Sequence, residues 1–314
     1  MSKSKVFKIS ADEVVDKKFK YYSKVVTMGN VVEVTRSEKD FGGASISKID
    51  KDTYLDLRTG EIKEFQHTEN RAENLSVIRC TMARIRAIIN TNVTIPDNCK
   101  WVTLTYAENM TDCERLYHDF EKFWKRFLYW CKKNGYSKPE YIVVVEPQGR
   151  GAWHIHAFFI WDSKAPFIPN DEIQRLWRQG FTSTKAVKNC DNIGAYFSAY
   201  LADIEYSDGD EVAFCDKVVE KSFTDEQGNT KTKKFIKGGR LHYYPTGFNI
   251  IRHSRGIKEP TTEYLSESEI KEKVSSAKLT FSSAYEILDV VADDDSRFSL
   301  KNTILKQYYN TKRK

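Results

Sequence analysis

The sequence predicts an α+β fold in which a central antiparallel β-sheet carries helices packed on it. Three observations lead there. The segments WVTLTY (101–106), YIVVVE (141–146) and WHIHAFFIW (153–161) are rich in strand formers. Between the first two, Leu116, Phe120, Phe123, Trp124, Phe127 and Cys131 recur at helical spacing, so one helix face is buried. The resulting order, β-α-β-β-α-α, is that of an antiparallel sheet with helices packed on it.

The elements follow in order. Residues 1–95 read as an accessory region of short strands (Val31 to Val34, Tyr54 to Leu57) and a helix over about 73–90, capped by Asn74 or Ser76. Residues 96–260 hold the three strands. Thr111-x-x-Glu114 has the form of a capping box opening the amphipathic helix, and Gly135 closes it. PQGRGA (147–152) is a turn. Asn170 caps a short helix through Ile173, Leu176 and Trp177 that stops at Gly180, and Asp191 or Asn192 caps another over 193–204. A hairpin turns at Glu226-Gln227-Gly228-Asn229, and LHYY (241–244) reads as a strand before the basic segment IRHSRGIK (251–258). Residues 261–314 read as two or three helices with a basic tail.

Composition excludes several classes. Gly and Pro number 15 and 7 in 314 residues, too few for collagen-like or low-complexity chains. With 18 Phe, 17 Tyr and 6 Trp, the chain can build a core and is not globally disordered. The longest apolar stretches, Tyr141 to Val145 and Ala157 to Trp161, are five residues, against about 20 for a membrane helix. The start, MSKSKVFKIS, lacks the apolar stretch of an export signal, so a soluble, cytoplasmic protein is expected. The six cysteines (80, 99, 113, 131, 190 and 215) form no C-x-x-C pair, which argues against a zinc knuckle and for reduced thiols. Net charge is +6, with basic runs at Lys217 to Arg240 and from Lys301 onward that attract phosphate without specificity.

The residues that point to chemistry are few. His154 and His156 lie two apart on a strand, so both imidazoles share a face about 6.7 Å apart. A hairpin turn centred near Arg150 pairs residues whose numbers sum to 300. Glu146 then stands opposite His154 on that face, with Cβ atoms about 5 Å apart. A one-residue slip would send the set to opposite faces. Two imidazoles and a carboxylate with no thiolate suit Mg²⁺ or Mn²⁺, or less selectively Zn²⁺, in an open site that polarises a phosphoryl oxygen. No Gly-x-Ser-x-Gly elbow supplies a nucleophile. Tyr196 and Tyr200, at i and i+4, share a helix face about 6 Å apart along the axis. A phenol with a pKa near 10 becomes a nucleophile only beside a cation.

Taken in order, these segments resemble the HUH family of DNA-nicking enzymes, the rolling-circle replication initiators, and within it the branch related to the filamentous-phage initiators. WVTLTY resembles its first motif, WHIHAFFIW its second, the metal-binding histidine pair, and YFSAY in NIGAYFSAYLAD its tyrosine helix. Glu146 stands where many members carry a third ligand. The resemblance covers about 100–205 and, more loosely, GRLHYYPTGFNIIRHSRGIKEP. It implies a ferredoxin- or RRM-like sheet and a divalent metal held by Glu146, His154 and His156. It also implies origin DNA, single-stranded or supercoiled, as substrate. A tyrosine, Tyr196 ahead of Tyr200, attacks the scissile phosphate, leaving a 3′-hydroxyl primer and a 5′-phosphotyrosine. One departure stands out: the family's lysine three residues after a tyrosine is here Ala199 or Asp203, so a basic group is sought elsewhere, with 237–258 the candidate stretch. Tyr243, Tyr244, Arg252 and Arg255 combine rings and cations suited to bases and phosphates. No G-x-x-x-x-G-K-[ST] loop occurs, so strand separation and extension fall to a separate host helicase and polymerase, with no membrane partner. Within the same chemistry a relaxase or single-strand transposase is an alternative, though relaxases place the tyrosine ahead of the histidines and transposases are shorter. From other classes come a non-catalytic origin-binding replication regulator, which Ala199 and Asp203 favour, and a hydrolytic metallonuclease.

Overall fold

The structure, a computed structural model, describes residues 4–15, 19–40, 46–57, 59–65, 75–148, 151–187, 192–194, 204–206, 218–224, 230–236, 240, 243–245, 247–290 and 298–313. In chain order the first elements are β1 (Ser4–Ile9), α1 (Asp12–Val15), β2 (Ser23–Met28), β3 (Val31–Ser37), β4 (Ile46–Lys48), β5 (Thr53–Asp56) and β6 (Ile62–Glu64). Next come α2 (Leu75–Asn92), β7 (Cys99–Thr105), α3 (Cys113–Lys133), β8 (Glu140–Pro147), β9 (Trp153–Ile160), α4 (Asn170–Trp177) and β10 (Thr182–Ala186). The chain continues with β11 (Ile204–Tyr206), β12 (Val218–Thr224), β13 (Thr230–Ile236) and β14 (Ile251–His253). It ends with β15 (Thr261–Leu265), α5 (Glu267–Lys273), β16 (Lys278–Val290) and β17 (Phe298–Asn310). The fold is α+β, with antiparallel sheets and packed helices.

Two compact units divide the chain, one of residues 1–67 with 260–314 and one of 68–259. This differs from the expected division at 95 and 260: α2 belongs with the second unit, and both chain ends build the first. In that first unit a six-stranded sheet runs in the order β1-β16-β17-β3-β2-β15. Val25 and Val34 pack against Ile270 of α5. The buried Arg36 is held by Glu267 and Gln307. The helices expected over 261–314 are therefore corrected to one short helix, an edge strand and a long β-hairpin. The reason is a hidden alternation. Burial along β17 has period two, at Thr303, Leu305 and Gln307, but two of those inward positions are polar. What remains apolar (Leu300, Ile304, Tyr308) falls at intervals of four and imitates a helix.

The second unit is built on a five-stranded antiparallel sheet in the order β10-β7-β9-β8-β14. Its pattern follows the strand period. On β9, Ile155, Ala157 and Phe159 face α3, where Phe127 meets Phe159 at 4.7 Å between ring centroids and Phe123 meets Trp177 of α4 at 5.9 Å. The even-numbered residues of β9 face the other way. Local signals were partly displaced. Asp112, not Thr111, caps α3, its Oδ1 accepting from Glu114 N and Arg115 N. Asn170 is the first residue of α4 rather than its cap, and its Nδ2 donates to Thr182 O, tying the helix to β10. Gly135 follows the end of α3 as expected. A separate three-stranded sheet, β11-β13-β12, contains the expected hairpin, whose turn lies outside the described residues. Tyr243 and Tyr244 lie in turn-like backbone, not a strand, and the strand falls instead at β14 within the basic segment.

Candidate active site

The β8–β9 register is the one the turn demands: Glu146 pairs with His154, Val144 with His156 and Ile142 with Phe158. Gly151, at φ 84°, supplies the left-handed residue that closes the turn. On the other side of β9, β7 places Thr105 opposite His154 and Thr103 opposite His156. Glu146, His154, His156 and Thr103 therefore share one face of the sheet, opposite α3. The imidazole centroids are 6.3 Å apart, with ring planes at 86°.

Glu146 is 5% exposed and its carboxylate is fully committed. Its Oε2 accepts from His156 Nε2 at 2.7 Å, and its Oε1 is paired with the guanidinium of Arg240, which also donates to Pro147 O at 2.9 Å. Burial pulls the Glu146 pKa up. The His156 hydrogen bond and the charges of His156, Arg240 and His154 pull it down and prevail, so the carboxyl is held below its ordinary range. In the neutral ring, donation from Nε2 makes His156 Nδ1 an acceptor, and the Thr103 hydroxyl lies 3.3 Å from it. A hydroxyl both donates and accepts, so Thr103 serves equally the reverse tautomer, in which Nε2 offers a lone pair.

The donor chemistry fits a hard divalent cation: two imidazoles and a carboxylate on one face, with Thr103 orienting one ring. The side chains are disposed for ion pairing instead. Among the described residues, no group of three or more His, Cys, Asp or Glu is gathered as a metal cluster, because Arg240 and His156 hold the carboxylate.

The other expected residues divide. Tyr196 and Tyr200, with Ala199 and Asp203, lie outside the described residues. Residues 193–194 have helical backbone, and Gly194 sits so close to α2 that a Cβ there would come within 2.4 Å of Arg86 O. Gly194 N donates to Asn90 Oδ1 at 2.8 Å. Tyr243 is at the surface and lies against Gly151 of the turn. Tyr244 is corrected to a core residue: it is fully buried, its hydroxyl donates to Val145 O at 3.0 Å, and no base can stack on it. Arg252 pairs with Val143, a position on the α3 face, and its guanidinium lies over the Tyr117 ring at 3.2 Å. It is therefore on the side away from the histidines. Arg255 is exposed. Sequence reasoning missed Thr103, although the alternation of WVTLTY contained it, and the pairing of Arg240, which no pattern signals.

An antiparallel sheet presenting two imidazoles beside a buried carboxylate defines a class of protein with one chemically equipped sheet face. Over residues 99–205 the chain matches the family model for replication-associated proteins of the ORF2 type. That stretch runs from β7 through β10 and includes Glu146, both histidines and both tyrosines. The similarity supports a place among replication initiators. No curated protein and no solved structure matches the chain. Among the described residues, no helix is long and apolar enough to cross a membrane.

Proposed function

We propose that the chain is a rolling-circle replication initiator that nicks and rejoins one strand of origin DNA through a 5′-phosphotyrosine. The observation that carries this reading is the β8–β9 register, which sets Glu146 against His154 on the face of His156, inside the stretch that resembles replication-associated proteins. Glu146, His154 and His156 would hold a divalent cation, Mg²⁺ or Mn²⁺, which when bound polarises the scissile phosphoryl group and offsets its growing charge. Thr103 steadies the His156 ring. Arg240, beside Glu146, is the basic group that the tyrosine segment lacks, placed to meet a phosphate oxygen.

The phenol oxygen of Tyr196, or of Tyr200, forms a bond to phosphorus as the bond to the 3′-oxygen breaks. The phenol proton is lost and the departing 3′-oxygen gains one. One phosphodiester replaces another, so the exchange needs no nucleotide hydrolysis and reverses to rejoin the strand. Strand opening and extension belong to a separate helicase and polymerase.

The test is a supercoiled plasmid carrying the cognate origin, incubated with Mn²⁺. Nicked circles with protein on the 5′ end are expected, reduced in Tyr196→Phe or Tyr200→Phe. A protein that binds the origin and leaves it supercoiled is a regulator. Nicks with a free 5′-phosphate and no adduct mean hydrolysis.

A further inference from the structure

The outer surfaces of α3 and α4 form an open groove of about 910 Å³ that the nicking reaction does not use. Five cations line it: Lys125, Arg126, Lys133, Arg175 and Arg178. Among its described lining residues the one carboxylate is Glu172, already taken by Arg175 at 2.7 Å. Arg126 is fixed in place, its Nε donating to Leu176 O at 2.7 Å and its Nη2 to Trp177 O at 3.3 Å. Burial lowers the Arg126 pKa, and the nearby charge of Arg178 lowers it further, so two like charges face the groove. Arg178 also holds a left-handed backbone, φ 64°, where glycine is the usual residue. An anion would relieve this crowding of positive charge.

The same groove exposes rings. Phe167 is 81% and Tyr129 71% exposed, and Tyr136 is exposed with its ring 5.6 Å from that of Trp130. Large bare rings interleaved with cations match a ligand that alternates flat π-faces with negative charge. An acidic peptide supplies the charge without the rings, and duplex DNA keeps its bases stacked inside.

We propose that the α3–α4 groove binds single-stranded DNA, with bases stacking on Tyr129 and Phe167 and phosphates held by Lys125, Lys133 and Arg178. The DNA identity of the strand rests on the initiator reading above. The groove lies against the sheet face opposite the histidines, so it holds a length of strand away from the cut.

The test is fluorescence anisotropy of labelled oligothymidylate with the full chain in EDTA, so that no chemistry occurs. Tyr129→Ala with Phe167→Ala should weaken binding about 10- to 100-fold, since each stacked base contributes a several-fold factor. Lys133→Gln with Arg178→Gln should flatten the dependence of log Kd on log salt by about 0.7 per charge removed. Both pairs are at the surface, and unchanged urea unfolding by tryptophan fluorescence shows that they fold. Wild-type affinity in both variants overturns the proposal, as does equal competition by polyglutamate or equal binding of a duplex. Should wild type fail to nick its origin while the variants lose oligonucleotide binding, the groove stands and the nickase reading falls. Normal nicking with unaltered variant binding sinks the groove alone.

Discussion

Arg240→Gln tests the electrostatic logic of the site most directly. It removes the guanidinium from a carboxylate that is nearly sealed from water and leaves His156 as the remaining partner. Breaking a fully buried ion pair costs about 3–5 kcal/mol. Arg240 keeps 18% of its side chain in solvent and His156 still donates, which brings the expected loss to about 2–3 kcal/mol. All six tryptophans lie between Trp101 and Trp177, so fluorescence reports the 68–259 unit alone. At a urea m-value of about 2 kcal/mol/M the midpoint should fall by roughly 1 M. Adding Glu146→Gln removes the stranded charge and should recover half of that loss or more. Mn²⁺ should raise the midpoint of Arg240→Gln more than that of wild type, because the cation no longer competes with the guanidinium. The pH dependence has a definite sign. A carboxyl held below its unfolded pKa contributes stability above the ordinary carboxylate range and loses it as pH falls through the folded pKa. Without Arg240 burial gains weight, so this loss should begin at higher pH. A single variant within 0.3 M (about 0.6 kcal/mol) of wild type, or strict additivity in the double-mutant cycle, would refute the reasoning.

Three further outcomes follow from the packing. Thr103→Val deletes the hydroxyl at His156 Nδ1 and should weaken Mn²⁺ binding by about 10- to 100-fold in calorimetry, with Thr103→Ser restoring it; equal affinities would separate Thr103 from the site. Phe127→Ala opens the ring cluster around Phe159 and should cost about 3–5 kcal/mol by tryptophan-monitored unfolding, whereas a loss below 1 kcal/mol would mean the cluster carries little. Burial pushes the Cys99 thiol up to about 12 and the Cys131 thiol up to about 11, so at pH 8 neither forms appreciable thiolate. In peptide-resolved mass spectrometry of the native protein, iodoacetamide should label the exposed Cys80 well before either, and equal rates would contradict the burial.

Much of the nicking unit was legible because its signals are local. Trp153 to Trp161 alternates cleanly enough to set strand and face, and the glycine-flanked turn sets the pairing. Helix α3 declared itself through its aromatic spacing. Caps were less legible: Asp112 stands beside Thr111, and either side chain can reach the first free N–H groups. The carboxy-terminal hairpin misled because Thr303 and Gln307 occupy inward positions of β17, and Gln307 is tolerated there by its bond to Arg36. Tyr244 misled for a related reason. An aromatic residue beside cations looks like a stacking surface, and only its neighbours Trp153 and Val145 reveal a core position.

By itself the sequence determined the facing of Glu146, His154 and His156, because strand period and turn length act over a few residues and admit one register. Tertiary structure alone decided which cation meets the carboxylate. Arg240 lies 93 residues beyond Pro147, whose carbonyl it also binds, and arrives through chain closure that no local period encodes. It decided as well that Arg252 falls behind the sheet and that the cations and rings of α3 and α4 converge on one groove. Local periods orient side chains about their own axis, whereas the meeting of distant segments depends on how the whole core packs.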